Sequence, residues 1–469
     1  MLEKNRDDIQ GMIFSAYVHL ECAAYLLLRV TDAALARKWV GQIANEVTNA
    51  VKPPKDHRPP VNINIAFTAT GLTNLGVPEA VVDTFSYPFR SGMATERRAN
   101  ILGDSDANHP KNWEWGNDQK PVDVVLMVFA QDEFVLKDEL ERRKSQLAAN
   151  GLAIAAEIPI AGRQPDSREH FGFNDGIGQP TIAETDQVQR QQERTHHATP
   201  LPPGEVLLGH ENVYGTMTPS VGIDPSLDPK NVLPPCSGGK RDLGFNGSYL
   251  VFRQMEQDVA TFWNFANQIA GGDEDVAKLI GAKMVGRWES GASLALHPHK
   301  DPNAGTDTLD RFNDFNYEKD PEGYGCPVGS HVRRANPRDT LGPTPDIATN
   351  SANRHRIMRR GRSYGHRLEG DRLKDDGQKR GLHFICFNGD IERQFEFVQQ
   401  TWINNSNFAG LGDEVDPLLG DQLSCSGIMT IPSDPLRFRV HNLCRFVTIR
   451  GGAYFFLPGI RALRWIAAM

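Results

Sequence analysis

The chain predicts an α+β fold made from one strand–helix unit used twice, and three observations carry that reading. The apolar run Tyr25-Leu26-Leu27-Leu28-Arg29 leads into Asp32 and then a helical stretch with Trp39 and Ile43-Ala44. Tyr249-Leu250-Val251-Phe252-Arg253 leads in the same order into Asp258, Phe262, Trp263 and Ile269-Ala270, which makes an internal repeat. A second pair returns as well: residues 122–129 with their helix parallel residues 382–388 with a helix over 391–402. Short helices after strands, with long loops between, fit a ferredoxin-like unit.

Bulk properties set the limits. A chain of 469 residues is long for one core and suits two domains. The long Pro-, Gln-, Gly- and Thr-rich connection 181–247 puts their junction within it, giving residues 1–225 and 226–469. Hydrophobic and charged fractions of 39% and 23% describe an ordinary soluble globular protein. A net charge of −8 argues against a nucleic-acid backbone binder. The six cysteines, 22, 236, 326, 386, 425 and 444, form no C-x-x-C pair, so zinc, iron–sulfur and dithiol chemistry are not expected, nor a disulfide scaffold. The first residues lack the basic and apolar regions of a secretory signal, and no uncharged apolar run reaches the ~18 residues of a membrane helix. Cytoplasmic residence is the default expectation, with export or packaging by other routes left open. Oligomeric state is also open.

Each element has a local reason. Residues 8–20 read as a loop and a short extended piece, before the apolar strand 24–30. Asp32 is the expected N-cap of a helix over 33–44, with Leu35, Trp39, Val40 and Ile43 on one side. Residues 61–70 alternate as a strand and turn through Gly71 into a short helix. A polar loop over 101–120 precedes a continuous apolar strand at 122–129, a helix over 132–147 and a strand over 153–160. Within the long connection only a helical turn near 184–194 is expected. The end of the chain, 446–449 then 451–458, reads as a hairpin.

Three stretches carry chemistry. In Gly172-Phe173-Asn174-Asp175-Gly176-Ile177-Gly178-Gln179-Pro180, glycines and a proline form a rigid bend around one acid, with aromatic residues just before it. In Cys326-Pro327-Val328-Gly329-Ser330-His331, small residues leave room beside a histidine for a flat ring. Arg333, Arg334 and Arg338 follow within seven positions and suit an anion. The third stretch, Arg356-Ile357-Met358-Arg359-Arg360-Gly361-Arg362-Ser363-Tyr364-Gly365, is strongly basic. Other motifs fail: Gly176-Ile177-Gly178 lacks a third glycine, Gly239-Lys240 lacks the following Ser or Thr, and His297-Pro298-His299 has no nearby acid.

Taken together, these stretches resemble the dye-decolorizing peroxidases, a haem peroxidase family. Its Gly-x-x-Asp-Gly, His-x-Arg-Arg-x-Asn-Pro-Arg and Arg-Arg-Gly-x-x-Tyr-Gly segments all have counterparts here, in that order. Weaker matches at Gly286-Arg287-Trp288, Phe384-Ile385-Cys386-Phe387-Asn388 and Gln399-Gln400-Thr401-Trp402 extend the likeness over nearly the whole chain, and its length resembles the larger subgroups. The resemblance implies tandem ferredoxin-like domains with antiparallel sheets, and haem b held mainly by the C-terminal half. It implies His331 as the axial iron ligand, Arg338 as a propionate partner, and Phe173 and Gly176 at the cofactor. It makes Asp175 the acid–base group and Arg359 the distal cation, with Arg360 as the competing register.

The implied reaction reduces hydrogen peroxide and oxidises bulky dyes, phenols and other aromatic donors by one-electron steps. Arg359 beside Asp175 should favour the ionised carboxylate, and since a free Asp titrates near ~3.9, activity should persist into acid. Asp390 is the expected partner of the histidine's second nitrogen. Bulky donors do not fit a buried pocket, so a surface Trp or Tyr is expected to relay electrons. The competing readings are a haem-handling protein of the same fold, and a non-haem binding module whose basic clusters hold a phosphorylated ligand.

Overall fold

Strand residues alternate between two buried faces, and that alternation builds the molecule. In the computed structural model, which describes residues 2–185, 188, 199–302 and 311–469, the first half supplies β1 (Cys22–Val30), β2 (Val61–Phe67), β3 (Val124–Ala130), β4 (Leu152–Ala156) and β5 (Ala161–Gly162). The long connection holds a small ribbon, β6 (Gly222–Ile223) with β7 (Arg241–Asp242). The second half supplies β8 (Ser248–Gln257), β9 (Met358–Arg359), β10 (Arg362–Tyr364) and β11 (Gly381–Asn388). The hairpin β12 (Gly427–Ile431) and β13 (Phe438–Leu443) and the long strand β14 (Val447–Leu457) follow.

One sheet takes strands from both halves, in the order β10-β5-β1-β3-β2-β14-β8-β11-β9, with β4 added on β1. Because β10 pairs with β5 on one side and β11 on the other, the sheet closes into a barrel. Tyr25, Leu27, Val125, Met127, Phe129, Phe252, Ile385, Phe387 and Phe455 point inward and pack on one another. Leu26, Leu28, Val124, Leu126, Val128, Val251, Tyr454 and Phe456 belong to the outer layer, under the helices. Burial on both faces explains why these strands read as unbroken apolar runs.

The repeated unit is present in both halves. β1 pairs antiparallel with β3, and β8 with β11. Each first strand hands over to a helix capped by an aspartate: Asp32 Oδ1 accepts from Leu35 N at 2.9 Å before helix Ala33–Glu46, and Asp258 Oδ1 accepts from Thr261 N at 2.9 Å before helix Val259–Ile269.

Several expectations are corrected. Leu35 is exposed and Ala36 takes the inward place. β2 ends at Phe67, because the Thr68 hydroxyl caps helix Ala69–Asn74. The strand expected over 153–160 stops at Ala156 as β4, and a separate short strand, β5, begins at Ala161. The loop 101–120 is not wholly polar in role, since Trp113 and Trp115 are buried. The helix over 391–402 is π-helical, Glu392–Glu396 then Val398–Ile403. The terminal hairpin is one strand, β14, with a bulge at Ile449/Gly451. Gly451 is there because the Trp115 indole leaves no room, a Cβ lying 2.4 Å from its Nε1. Cys425 and Cys444 form a disulfide at the base of the β12–β13 hairpin. Most of the turn expected near 184–194 lies outside the described residues. Among the described residues no helix is long and apolar enough to cross a membrane.

Candidate active site

The outer face of the second half carries a cavity where the first half carries packed helices. Its floor is Met255 and Gln257 of β8, Leu382 and Phe384 of β11, and Val447 of β14. The π-helical segment contributes Phe395, Val398, Gln399 and Ile403, so the wide turn sets these side chains against the cavity. His331, Asp175, Arg338, Arg359, Phe173 and Gly176 all line it, though 184 residues separate Asp175 from Arg359.

On one wall, Ser330 precedes the short helix His331–Ala335 in extended conformation and His331 opens it. The Nδ1–H of His331 donates to Asp416 Oδ2 at 2.9 Å. Asp416 is fully buried, and its other oxygen accepts from the Leu418 and Leu419 amides, each at 2.8 Å. Burial disfavours the imidazolium, yet the charge and hydrogen bond of Asp416 outweigh it and shift His331 upward. Burial likewise works against the Asp416 carboxylate, and His331 with the amide bonds more than offsets it, so Asp416 lies below its ordinary value. This commits Nδ1 and leaves Nε2 as the free ring nitrogen.

Asp390, the expected partner, instead caps the π-helical segment by accepting from Arg393 N at 3.0 Å. Nothing in the sequence marks Asp416, 85 residues beyond the histidine.

The opposite wall holds the acid. Positive φ at Gly172 (+102°) and Gly176 (+84°) bends the chain on both sides of Asp175. Asp175 Oδ1 accepts from Gly176 N at 2.6 Å and from Arg359 Nη1 at 3.1 Å. Arg359 comes from β9 and is steadied by its own amide, which donates to Gln179 Oε1 at 3.0 Å. Arg359 lines the cavity, whereas Arg360 turns the other way and donates to the carbonyls of Met12 and Ile13.

A third wall is cationic. Arg338 donates to Phe315 O at 2.5 Å and to Asn313 Oδ1 at 2.8 Å, and its buried Nε has no partner among the described residues. Arg356 donates to Gly178 O, and its charged neighbours are Arg338 and Arg359. Burial, reinforced by those two cations, pushes Arg356 down to about 9. Arg287 is pushed down to about 10 in the same way, by burial and then Arg338. Such a set favours an anion beside it. Arg333 and Arg334 do not join it: both are buried and bound to backbone carbonyls, Arg333 to those of Asp320 and Cys326, Arg334 to those of Gly329, Trp402 and Glu414. The strongly basic stretch that opens at Arg356 is the sequence signal for this residue.

The model of the DyP dimeric alpha+beta barrel domain matches residues 8–159. A dye-decolorizing peroxidase of Mycena epipterygia is 33% identical over 88% of this chain and 77% of its own length. The chain belongs to the dye-decolorizing peroxidase family. Another peroxidase of this family, from Mycetinis scorodonius, is 28% identical over 99% of the chain and 88% of the relative. A solved dye-decolorizing peroxidase in complex with 2,6-dimethoxyphenol superposes with a TM-score of 0.79 at 26% identity, covering 98% of this chain and 99% of that one. The barrel of antiparallel strands and helices is therefore the family's α+β fold, and membership implies a haem cofactor. In this dye-decolorizing peroxidase-family chain all seven tryptophans are buried, and the exposed tyrosines are Tyr87, Tyr214 and Tyr324.

Proposed function

We propose that the cavity holds haem b (iron protoporphyrin IX), and that the protein reduces hydrogen peroxide and oxidises dyes, phenols and other aromatic donors by one-electron steps. One juxtaposition carries the reading: an imidazole with a free Nε2 on one wall of an apolar-floored cavity, and an Asp–Arg pair on another. The donor set fits the group. His331 Nε2 is a neutral nitrogen donor whose basicity Asp416 raises. Arg338 and Arg356, with Arg287 behind them, match two propionates, while Leu382, Phe384, Phe395 and Val398 suit an apolar ring.

Bound haem would supply the iron that takes up peroxide and would store the two oxidising equivalents that come from peroxide until donors fill them. The chain's own work is proton transfer and charge balance. Asp175 Oδ1 is engaged by Gly176 and Arg359, which leaves Oδ2 to accept the proton of the inner peroxide oxygen. The same oxygen returns that proton to the outer peroxide oxygen, which leaves as water. Arg359 faces this transfer and balances the negative charge that builds on the departing oxygen. Phe173 and Gly176 keep the acid's loop against the cavity.

Reconstitution with haem, followed by peroxide and 2,6-dimethoxyphenol, tests the proposal. A haem absorption band and steady phenol oxidation are expected. Firm haem binding with ready transfer to an acceptor protein and no phenol oxidation would favour haem handling instead. A protein that takes up no haem would overturn both.

A further inference from the structure

The loop that presents Asp175 is folded around a second carboxyl group that the reaction above does not use. Glu169 Oε2 accepts from the Phe171 amide at 2.9 Å and from Gln257 Nε2 at 2.6 Å. Its Oε1 accepts from the Phe173 amide at 2.9 Å. Main-chain bonds follow the same path: Glu169 N donates to Phe173 O at 3.0 Å, and Gly172 N to Glu169 O at 2.9 Å. The turn then closes, with Asp175 N donating to Ser167 O at 3.0 Å. Gln257 is the last residue of β8, so the carboxyl ties this loop to a central strand of the sheet. By comparison, the Asp175 carboxylate accepts from Gly176 and Arg359, with no further hydrogen bond among the described residues.

We propose that Glu169, seated on Gln257, is a positioning residue for Asp175: its carboxyl group holds the Phe171 and Phe173 amides in the turn that sets Asp175 beside Arg359. The assignment rests on the peroxidase reading for its kinetic consequence, and on the loop geometry alone for its structural one.

The seat serves both protonation states. Burial pushes Glu169 up to about 7, and the Asp175 charge adds to that direction. The buried Oε1 of Gln257 has no hydrogen-bond partner among the described residues. A Gln257 amide turned over presents that oxygen to a protonated Glu169, whose carbonyl oxygen still accepts from the loop. Glu169→Gln copies the donor of this protonated form and keeps the bond from the Phe173 amide; Glu169→Leu removes the clamp.

Two readouts on the full chain test the proposal: amide hydrogen exchange, and rapid mixing of the haem-loaded protein with peroxide. In Glu169→Leu the Phe171 and Phe173 amides should both exchange faster; in Glu169→Gln the Phe173 amide should keep its protection, because the one side-chain oxygen still accepts from it. With haem loading unchanged, Glu169→Leu should slow the peroxide step by roughly tenfold or more, and Glu169→Gln by less than about threefold. In an Asp175→Asn background Glu169→Leu should cost little further, because it acts through Asp175. If Glu169→Leu does not fold, Gln257→Leu serves: its peroxide rate should fall below wild type as pH drops below about 7, where the added proton finds no acceptor. Wild-type rates in Glu169→Leu, full additivity with Asp175→Asn, or a wild-type pH profile in Gln257→Leu would overturn the assignment. A wild-type protein that binds no haem would defeat the functional reading, and the exchange result would then judge the clamp by itself.

Discussion

His331 and Asp175 face one cavity, but the chain holds them in opposite ways. The His331–Asp416 pair is sunk into the fold, with Asp416 at 0% exposure and bound by two amides as well as the imidazole. Asp175 and Arg359 keep 42% and 33% of their side-chain surface exposed and share one 3.1 Å bond. A half-exposed pair contributes roughly 0–1 kcal/mol, whereas removing one partner of a buried pair costs about 3–5 kcal/mol. The difference teaches a division of labour. On the proposed reading, the iron ligand is fixed by burial and several bonds, and the proton-transfer group keeps solvent exposure and a free oxygen.

The contrast can be broken at each wall, starting with the largest effect. His331→Ala should abolish firm haem binding, which a haem titration followed by absorption will check. On the open wall, Arg359→Leu should keep haem and slow the peroxide step by about 10²–10³-fold, as loss of one charge-stabilising donor does. Arg360→Leu should leave that rate near wild type, because its guanidinium faces the Met12 and Ile13 carbonyls. On the closed wall, Asp416→Ala should weaken haem affinity by about 10–100-fold. It should also destabilise the fold by about 3–5 kcal/mol in denaturant titration.

The smallest effect lies in neither wall. His170 and His383 are buried and each is pushed down to about 4, by desolvation first. Their folded values lie below the unfolded one, so the stability they contribute is present above about pH 6.5 and is lost as pH falls through 4. Glu169, raised to about 7, has the opposite sign: its share is present below about 4.5 and is lost as pH rises through 7. His170 and His383 together should pull the melting temperature down between pH 6.5 and 4. His383→Phe should flatten that fall.

Much of this was legible in the sequence, and the limits have physical causes. The repeat, the aspartate caps and the apolar strands are local signals, written in neighbouring residues. The Asp175, His331 and Arg359 stretches carry distinctive strings, so they could be found singly and joined by the family resemblance. Asp416 could not, because a lone acid 85 residues from its partner has no pattern; closure of the fold, not sequence spacing, makes that pair. Arg333 and Arg334 misled for a related reason. Sequence shows a charge but not its direction, and these two spend their donors on carbonyls that would otherwise be buried without partners. The π-helical segment was missed because one extra residue per turn leaves no mark on a run of apolar and amide side chains.

The most direct test is the haem absorption change in the first second after one equivalent of hydrogen peroxide, with wild type and Asp175→Asn side by side. The account predicts a fast change in wild type and one slower by about 10²–10⁴-fold in Asp175→Asn, from identical starting spectra. Equal rates in the two proteins would contradict it, and would move the proton transfer to another group in the cavity.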